Sequence, residues 1–382
     1  MENLTHTLLG LTIAKAGLEA ATPLATSTLV ISSNLPDLDL LAYPRGDALS
    51  YIEYHRGLTH SFVGLIVLAG VLTLIMIFFD RKFRLKGDRF RRPARPTRIF
   101  LLALLGGFGH LLLDFTNSYG VRPLMPFDDR WFYGDFVFVA DPWIWLILGF
   151  SVVWLTLRSK SRNRLRWSVA VFWIAVGALL SAIVALALRH PTAGLPPVSN
   201  TIRIIWFCGL GLILLGAFFG LGRDGPKYAR WSLILLGIYY GGMWIGHQDA
   251  LQHSATQPAA ADVEASASWP EPANPLLWYS VQSADQKVYD RLTDLMPISL
   301  AGGQVSPAWD EQPSLSPEIA DAIRRSKPGR AFLNFARFPT AQVVTRDDGY
   351  SVTLTDSRFG LTLKAELDRD LNVKSSEIQW QR

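Results

Sequence analysis

Residues 61–79 read SFVGLIVLAGVLTLIMIFF, a run of 19 residues without one charged side chain. The hydrocarbon core of a bilayer is about 30 Å thick, and a helix needs roughly 20 apolar residues to cross it. The run therefore predicts a helix that spans a membrane.

The composition of the whole chain agrees with this run. Of its 382 residues, 49% are hydrophobic and only 18% are charged, and the mean hydropathy is +0.20. These values exclude an ordinary cytosolic globule, a disordered chain and a fibrous repeat. The single cysteine, Cys208, excludes a disulfide framework and a cysteine-based metal site. Any metal must be bound by histidines and carboxylates.

Further apolar segments predict a bundle of several spans. Residues 4–33 predict a hairpin of two shorter helices, and more spans are expected at residues 99–115, 142–157, 167–188, 204–221 and 231–245. Alternating β-prone runs at 276–281, 341–345, 350–355 and 361–366, with a helix at 316–325, indicate a soluble C-terminal part. We therefore expect an all-α multi-span membrane helical bundle (1–250), a linker (251–275) and a small C-terminal α+β domain (276–382).

The distribution of basic residues predicts the orientation of this bundle. Residues 80–98 hold nine Lys and Arg against two Asp, and residues 158–166 and 223–230 are basic as well. Loops of this kind stay in the cytoplasm. We expect a multi-pass protein of the cytoplasmic membrane whose C-terminal domain is extracytoplasmic. Because the basic excess lies in short loops between apolar runs, lipid is the expected partner and nucleic acid is not.

Four short motifs carry histidines and carboxylates beside apolar sequence. They contain His6, then Asp37 and Asp39, then His55, Arg56 and His60, and finally His110 and Asp114. The last two are four residues apart and share one face of a helix, so they can chelate one cation. Each motif also has a plain alternative: a mobile terminal residue, an exposed turn, a polar interface cap and a buried His–Asp hydrogen bond, in that order.

All four motifs fall at the same end of the expected bundle. Together they predict a metal site whose ligands are His6, Asp37, Asp39, His55, His60, His110 and Asp114. This number of ligands can hold two metals with open positions for water, and nitrogen and oxygen donors suit zinc first, then manganese or iron. Asp37 or Asp39 can bridge the metals or accept a proton from water. Arg56 suits an anionic substrate oxygen or a carboxylate ligand.

The same motifs resemble those of the YdjM-type membrane-bound, predicted metal-dependent hydrolases. The resemblance rests on His6 with Gly10, on the strings LPDLD (35–39) and HRGLTHS (55–61), and on residues 109–120. It covers about residues 1–125. It implies a relationship to zinc-dependent phospholipase C and the S1/P1 nucleases, whose helical bundles hold metal clusters and cleave phosphoesters.

The expected function is metal-dependent hydrolysis of a phosphoester or lipid-linked substrate at the outer face of the membrane. An ion or proton relay is one alternative, because intramembrane His and Asp also mark such pathways. A structural or regulatory membrane protein whose bundle is stapled by metal is another. Whether Asp135, Asp141 or His247 joins the site stays open.

Overall fold

A computed structural model describes most of the chain. The described residues are 1–42, 47–86, 91–157, 204, 206–212, 215, 225–272, 274–295 and 308–380. The predicted span at 167–188 and half of that at 204–221 lie outside them.

The described helices and strands follow each other in two blocks along the chain. The helices of the N-terminal block are α1 (Asn3–Lys15), α2 (Ala25–Ser32), α3 (Ala48–Tyr54), α4 (Phe62–Phe79), α5 (Pro96–Phe115), α6 (Pro142–Leu157) and α7 (Gly225–Thr256). The C-terminal block contains β1 (Ala265–Glu271), β2 (Asn274–Ala284), β3 (Lys287–Asp294), β4 (Asp310–Pro313), α8 (Pro317–Arg324), α9 (Lys327–Phe335), β5 (Pro339–Arg346), β6 (Gly349–Asp356), β7 (Leu361–Asp368) and β8 (Val373–Trp380).

The expected fold class, an all-α multi-span bundle, is wrong for the described residues. Only two of their helices are long and apolar enough to cross a membrane, Phe62–Arg84 and Pro96–Phe115. The predicted third span is the shorter apolar helix α6. The segment 231–245 lies within the 32-residue helix α7, whose polar ends and interspersed Gly and Tyr keep its hydropathy below that of a span.

The two short N-terminal helices form the predicted hairpin and pack closely on α5. Glycines make this possible, because an added Cβ at Gly10 of α1 would lie 2.9 Å from the Leu29 carbonyl oxygen of α2. A Cβ at Gly106 of α5 would lie 3.0 Å from the same oxygen and 2.0 Å from the Ser32 hydroxyl. Small residues allow helix backbones to approach in this way. Helix α2 is therefore held between α1 and α5.

The C-terminal block consists of two antiparallel four-stranded sheets, in the orders β1-β2-β3-β4 and β5-β6-β7-β8. Strand β1 lies inside the segment 251–275 that the sequence predicts as a linker. Its Ala- and Ser-rich composition suggests a loop, but Trp269 is 6% exposed and pairs with Tyr279 of β2. Helix α7 also continues to Thr256, so most of the predicted linker is regular structure.

The second sheet shares a hydrophobic core with the N-terminal block. Ile52 of α3 and Tyr119, which follows α5, are buried in one cluster with Phe332, Phe335 and Leu363. Lys327 also forms an ion pair with Glu53 at 2.9 Å. The C-terminal sheet is therefore packed at the end of the bundle where α3 and α5 end.

Candidate metal centre

The structure brings all seven predicted ligands together at this end of the bundle. They come from α1, from the 3-10 turn Leu35–Ala42, from the end of α3, from the turn Leu58–His60 before α4, and from the last turn of α5. Their side chains are at most 8% exposed. Its members span residues 6 to 114, so the fold of the N-terminal block is what brings them together.

Four of these side chains form a compact set of donor atoms. His60 Nε2 lies 3.0 Å from His110 Nε2, and each of these nitrogens lies 3.4 Å from Asp114 Oδ2. Asp37 Oδ1 lies 3.4 Å and 3.6 Å from the same two nitrogens. Ligands 2.0–2.1 Å from a tetrahedral zinc ion are roughly 3.3 Å apart. The spacing therefore fits a small tetrahedral cation.

The hydrogen bonds around the two imidazoles leave lone pairs facing each other. The Nδ1–H of His110 must donate to the Ser33 carbonyl oxygen at 2.8 Å, because that oxygen can only accept. His60 Nδ1 lies 3.0 Å from the Thr59 hydroxyl, which itself donates to Asp39. Both Nε2 atoms then carry lone pairs, a contact that a bound cation stabilises. Asp114 Oδ2, which points at them, has no hydrogen-bond donor.

A second group of donors shares Asp37 with the first. Asp37, Asp39 and His55 place one donor atom each within 4.8 Å of one another. Burial lowers the pKa of His55 to about 4 although its hydrogen bond with Asp39 opposes this, so the ring is neutral near pH 7. Burial by itself would raise the pKa of Asp37, but the hydrogen bond with His60 and the nearby His110 bring it to about 2. Both groups could therefore hold a metal ion.

Asp39 is engaged on both carboxylate oxygens. Its Oδ1 lies 3.1 Å from His55 Nδ1, and its Oδ2 accepts from the Arg56 backbone nitrogen at 3.1 Å and from Thr59 at 2.9 Å. The same oxygen is 3.3 Å from His60 Nδ1. Carboxylates placed in this way fix the orientation of the histidines beside them.

His6 lies against the cluster. Its ring stacks on His110 with centroids 3.7 Å apart, and its Nε2 is 3.4 Å from Asp114 Oδ1. Its Nδ1 is buried without a hydrogen-bond partner. The ring is thus close enough to complete a ligand set or to pack against one.

Arg56 binds a carboxylate, which is one of the two kinds of partner that its charge suits. The residue is 3% exposed, and its two terminal nitrogens donate to Asp114 Oδ1 at 3.0 Å, to Asn117 Oδ1 at 3.2 Å and to the Gly120 carbonyl at 2.9 Å. The guanidinium thus binds Oδ1 of Asp114, whereas Oδ2 of that carboxylate faces His60 and His110. Neutralising a substrate oxygen requires a free, accessible face, which this geometry does not provide.

The three residues left open by the sequence lie in other contacts. Asp135 receives two hydrogen bonds from Arg337, at 2.7 and 2.8 Å. Asp141 accepts from the Trp143 backbone nitrogen at 2.8 Å and from Tyr239 at 2.6 Å, so it caps α6. His247 Nδ1 donates to a backbone carbonyl, that of Ser268. Neither described donor group contains them.

Two further residues support the cluster although no sequence pattern points to them. Arg122 donates to the carbonyl oxygens of Glu53 at 2.8 Å and His55 at 3.3 Å. Asn117 accepts from Arg56 and also from the Tyr119 backbone nitrogen. Their partners are main-chain atoms or residues distant in sequence, so only the folded chain reveals these roles.

The fold and site define a membrane-associated helical region with a buried His and Asp cluster that could hold metal. Comparison with known proteins supports this class: residues 1–190 match the family model described as YdjM inner membrane protein. Over these residues the match confirms the resemblance to the YdjM family seen in the sequence, whereas it does not test the more distant relationship to phospholipase C.

Two curated proteins are similar to this chain. The uncharacterized protein YfhP of Bacillus subtilis is 25% identical over 156 residues, which are 38% of this chain and 43% of YfhP. The inner membrane protein YbcI of Escherichia coli is 34% identical over 106 residues, 27% of this chain and 54% of YbcI. The chain thus spans about half the length of these relatives. No solved structure matches it.

Proposed function

We propose that this protein is a membrane-bound, metal-dependent hydrolase that cleaves a phosphoester at the outer surface of the membrane. The observation that supports it is the pair of donor groups that share Asp37, one with four donors and one with three. Structural zinc sites are closed by four protein ligands, whereas catalytic sites keep a position open. The group of Asp37, Asp39 and His55 has the composition of an open site.

Zinc is the proposed metal, ahead of manganese and iron. The donors are imidazole nitrogens and carboxylate oxygens without sulfur, which suits these ions in that order. A pair of such ions supplies a nucleophile at neutral pH and neutralises charge on a phosphoryl oxygen. In this assignment Asp37 would contribute to both groups, and Asp39 would complete the open group with His55 while its Oδ2 orients His60.

A lipid or lipid-linked molecule is the proposed substrate class. The donor cluster lies where α5 ends, at one end of the two candidate spans. A phosphoester anchored in the bilayer can present its polar part at this level without leaving the lipid. The distant similarity to phospholipase C implied by the family resemblance points to the same chemistry.

A metal-stapled scaffold is the second candidate. The closed group of Asp37, His60, His110 and Asp114 joins α5 to two separate turns, which is what a structural metal does. In that case hydrolysis is absent and the metal contributes only to folding.

The test measures metal content and hydrolysis on the same detergent-purified samples. Zinc per chain is determined by mass spectrometry for the wild type, His55→Ala, His110→Ala and the control His253→Ala, whose exposed ring lies outside both donor groups. Hydrolysis is measured with bis-p-nitrophenyl phosphate and with phosphatidylglycerol vesicles.

We expect about two zinc ions in the wild type and the control, and hydrolysis in both. His55→Ala should keep one ion and lose hydrolysis, because only the open group is changed. Two ions without hydrolysis of either probe would favour the scaffold. A wild-type protein without metal would overturn both candidates.

A further inference from the structure

The loop that follows α5 lies between two buried arginines. From the bundle side, Arg56 Nη1 donates to Asn117 Oδ1 and to the Gly120 carbonyl. From the C-terminal sheet, Arg358 Nη1 donates to the Ser118 carbonyl at 2.9 Å. Residues 117–120 therefore connect the C-terminal block to Arg56, the arginine that binds Asp114. Ser118 accepts from Arg358, and its neighbours Asn117 and Gly120 accept from Arg56.

Arg358 is also bonded to residues of the C-terminal block to which it belongs. Its side chain is 1% exposed and forms an ion pair with Asp356 at 2.8 Å. The same guanidinium donates to the Phe335 carbonyl at the end of α9. A planar, multiply bonded guanidinium has little freedom, and a lysine cannot reproduce its bonds. The position of Ser118 is thus determined by the second sheet.

Tyr119 makes the apolar part of the same connection. Its ring packs on Phe335 and Phe359, with centroids 5.0 and 5.4 Å away. On the bundle side, the Arg56 guanidinium lies 4.4 Å from the Tyr119 centroid, and the His55 ring lies 5.6 Å away. The buried Tyr119 ring thus contacts the C-terminal core, the candidate ligand His55, and Arg56, which binds the candidate ligand Asp114.

Arg337 makes a second contact between the C-terminal block and the chain near the end of α5. Arg337 binds Asp135 with two hydrogen bonds and lies 4.1 Å from the Tyr133 ring. The neighbouring Gly134 nitrogen donates to the Phe115 carbonyl at 2.6 Å, directly after Asp114. The contacts of Arg358 with Ser118 and of Gly134 with Phe115 both lie within four residues of Asp114 in the chain.

We propose that the C-terminal block positions the metal centre, with Arg358 holding the loop that follows Asp114 and Arg337 holding the segment 133–135 that is hydrogen-bonded to Phe115. The inference rests on the proposed metal site. Arg358 acts through Ser118 and Tyr119 on Arg56, and Arg56 orients Asp114. The two arginines are positioning residues and contact no predicted ligand themselves.

The experiment compares Arg358→Lys and Arg337→Lys with the wild type. Arg346→Gln is the control, because Arg346 forms only an exposed ion pair with Glu366 in the same sheet. Purified proteins are loaded with zinc, and release to the chelator 4-(2-pyridylazo)resorcinol is followed. A cobalt(II)-loaded set gives the visible ligand-field spectrum, which reports coordination geometry, and circular dichroism reports folding.

We expect each lysine variant to release zinc about 10-fold faster and to change the cobalt spectrum, since residues that orient ligands typically contribute 10- to 100-fold in metal affinity. The control should behave as the wild type. Folded lysine variants with wild-type release and spectra would overturn the inference. If Arg358→Lys does not fold, Arg337→Lys decides. A wild type that binds neither metal would instead refute the proposed function.

Discussion

At the residue scale, one carboxyl group outside the metal centre has a buried oxygen to which no described residue donates a hydrogen bond, and burial shifts its pKa. Glu271 is 8% exposed, and its Oε2 has no hydrogen-bond donor. It lines a small cavity with Asp141 and Tyr239, where β1 meets α6 and α7. Burial raises the pKa of Glu271 from its usual 4.5 to about 7. The folded protein therefore holds this carboxyl in its neutral form more strongly than the unfolded chain does.

This shift predicts a pH-dependent effect of Glu271→Gln. A raised carboxyl pKa stabilises the fold fully below pH 4.5, and that contribution is lost as pH rises through 7. At pH 8 the neutral glutamine should raise the free energy of unfolding by up to about 3 kcal/mol, because each pKa unit is worth about 1.4 kcal/mol. Denaturation in detergent at pH 4.5 and pH 8 measures this.

The exposed Glu264, on the segment before β1, supplies the control for that measurement. Glu264→Gln should leave the unfolding free energy unchanged at both pH values. If Glu271→Gln has the same effect at pH 4.5 and pH 8, or destabilises at pH 8, the carboxyl is not the strained group that its surroundings indicate.

Residue-level reasoning also predicted which side chains lie together at the candidate site. Its motifs are local strings, and pairs such as His110 and Asp114 need only one helical turn to meet. The role of Arg56 was not predictable in this way. Its charge suits a substrate anion or a carboxylate equally well, and only the fold places Asp114 and Gly120 beside it.

At the element scale, the bundle depends on the tight position of α2. Gly106→Ala would place a methyl group 2.0 Å from the Ser32 hydroxyl and 3.0 Å from the Leu29 carbonyl. Because α2 must move away, we expect a loss of about 1–3 kcal/mol in stability. The Ser33 carbonyl, which fixes the His110 ring, moves with it, so zinc retention should fall as well.

Gly70 of α4 offers the matched control for this change. An added Cβ there meets no atom within 4 Å. Gly70→Ala should leave the thermal midpoint and zinc content at wild-type values. Equal midpoints for the Gly106 and Gly70 variants would mean that α2 and α5 are not in close contact.

Sequence patterns found some elements and missed others for physical reasons. Strands β5, β6 and β7 alternate apolar and polar residues and were found. Strand β8 is an edge strand with a mostly exposed, polar sequence, and β4 is exposed throughout, so neither shows that alternation. Within the described residues the number of spans was overestimated, because an apolar composition is shared by a lipid-facing helix and by α7, which packs against α6, α1 and the first sheet.

At the scale of the whole molecule, the basic loop and the C-terminal block lie at opposite ends of the two candidate spans. The loop 80–98 joins the end of α4 to the start of α5, whereas Arg358 contacts Ser118, just after α5 ends. If the loop is cytoplasmic, as its nine basic residues indicate, the C-terminal block is on the outer side.

Cysteine labelling tests this orientation. In a Cys208→Ser background, which has no other cysteine, Lys86→Cys and Asp370→Cys place one exposed thiol at each end. A membrane-impermeant maleimide should label Asp370→Cys in intact spheroplasts and Lys86→Cys only after the membrane is opened. The background protein should stay unlabelled. The reverse pattern would place the C-terminal block in the cytoplasm.

The way in which the donors are distributed along the chain also sets the order of events during synthesis. His6, Asp37 and Asp39 leave the ribosome before α4 and α5 exist, and they meet His110 and Asp114 only when both of those helices have been inserted. Five of the seven predicted ligands are thus synthesised before either candidate span, and the set is complete only with Asp114. If the centre holds a metal, uptake follows insertion of α5, and a cell short of metal would accumulate an inserted, empty protein.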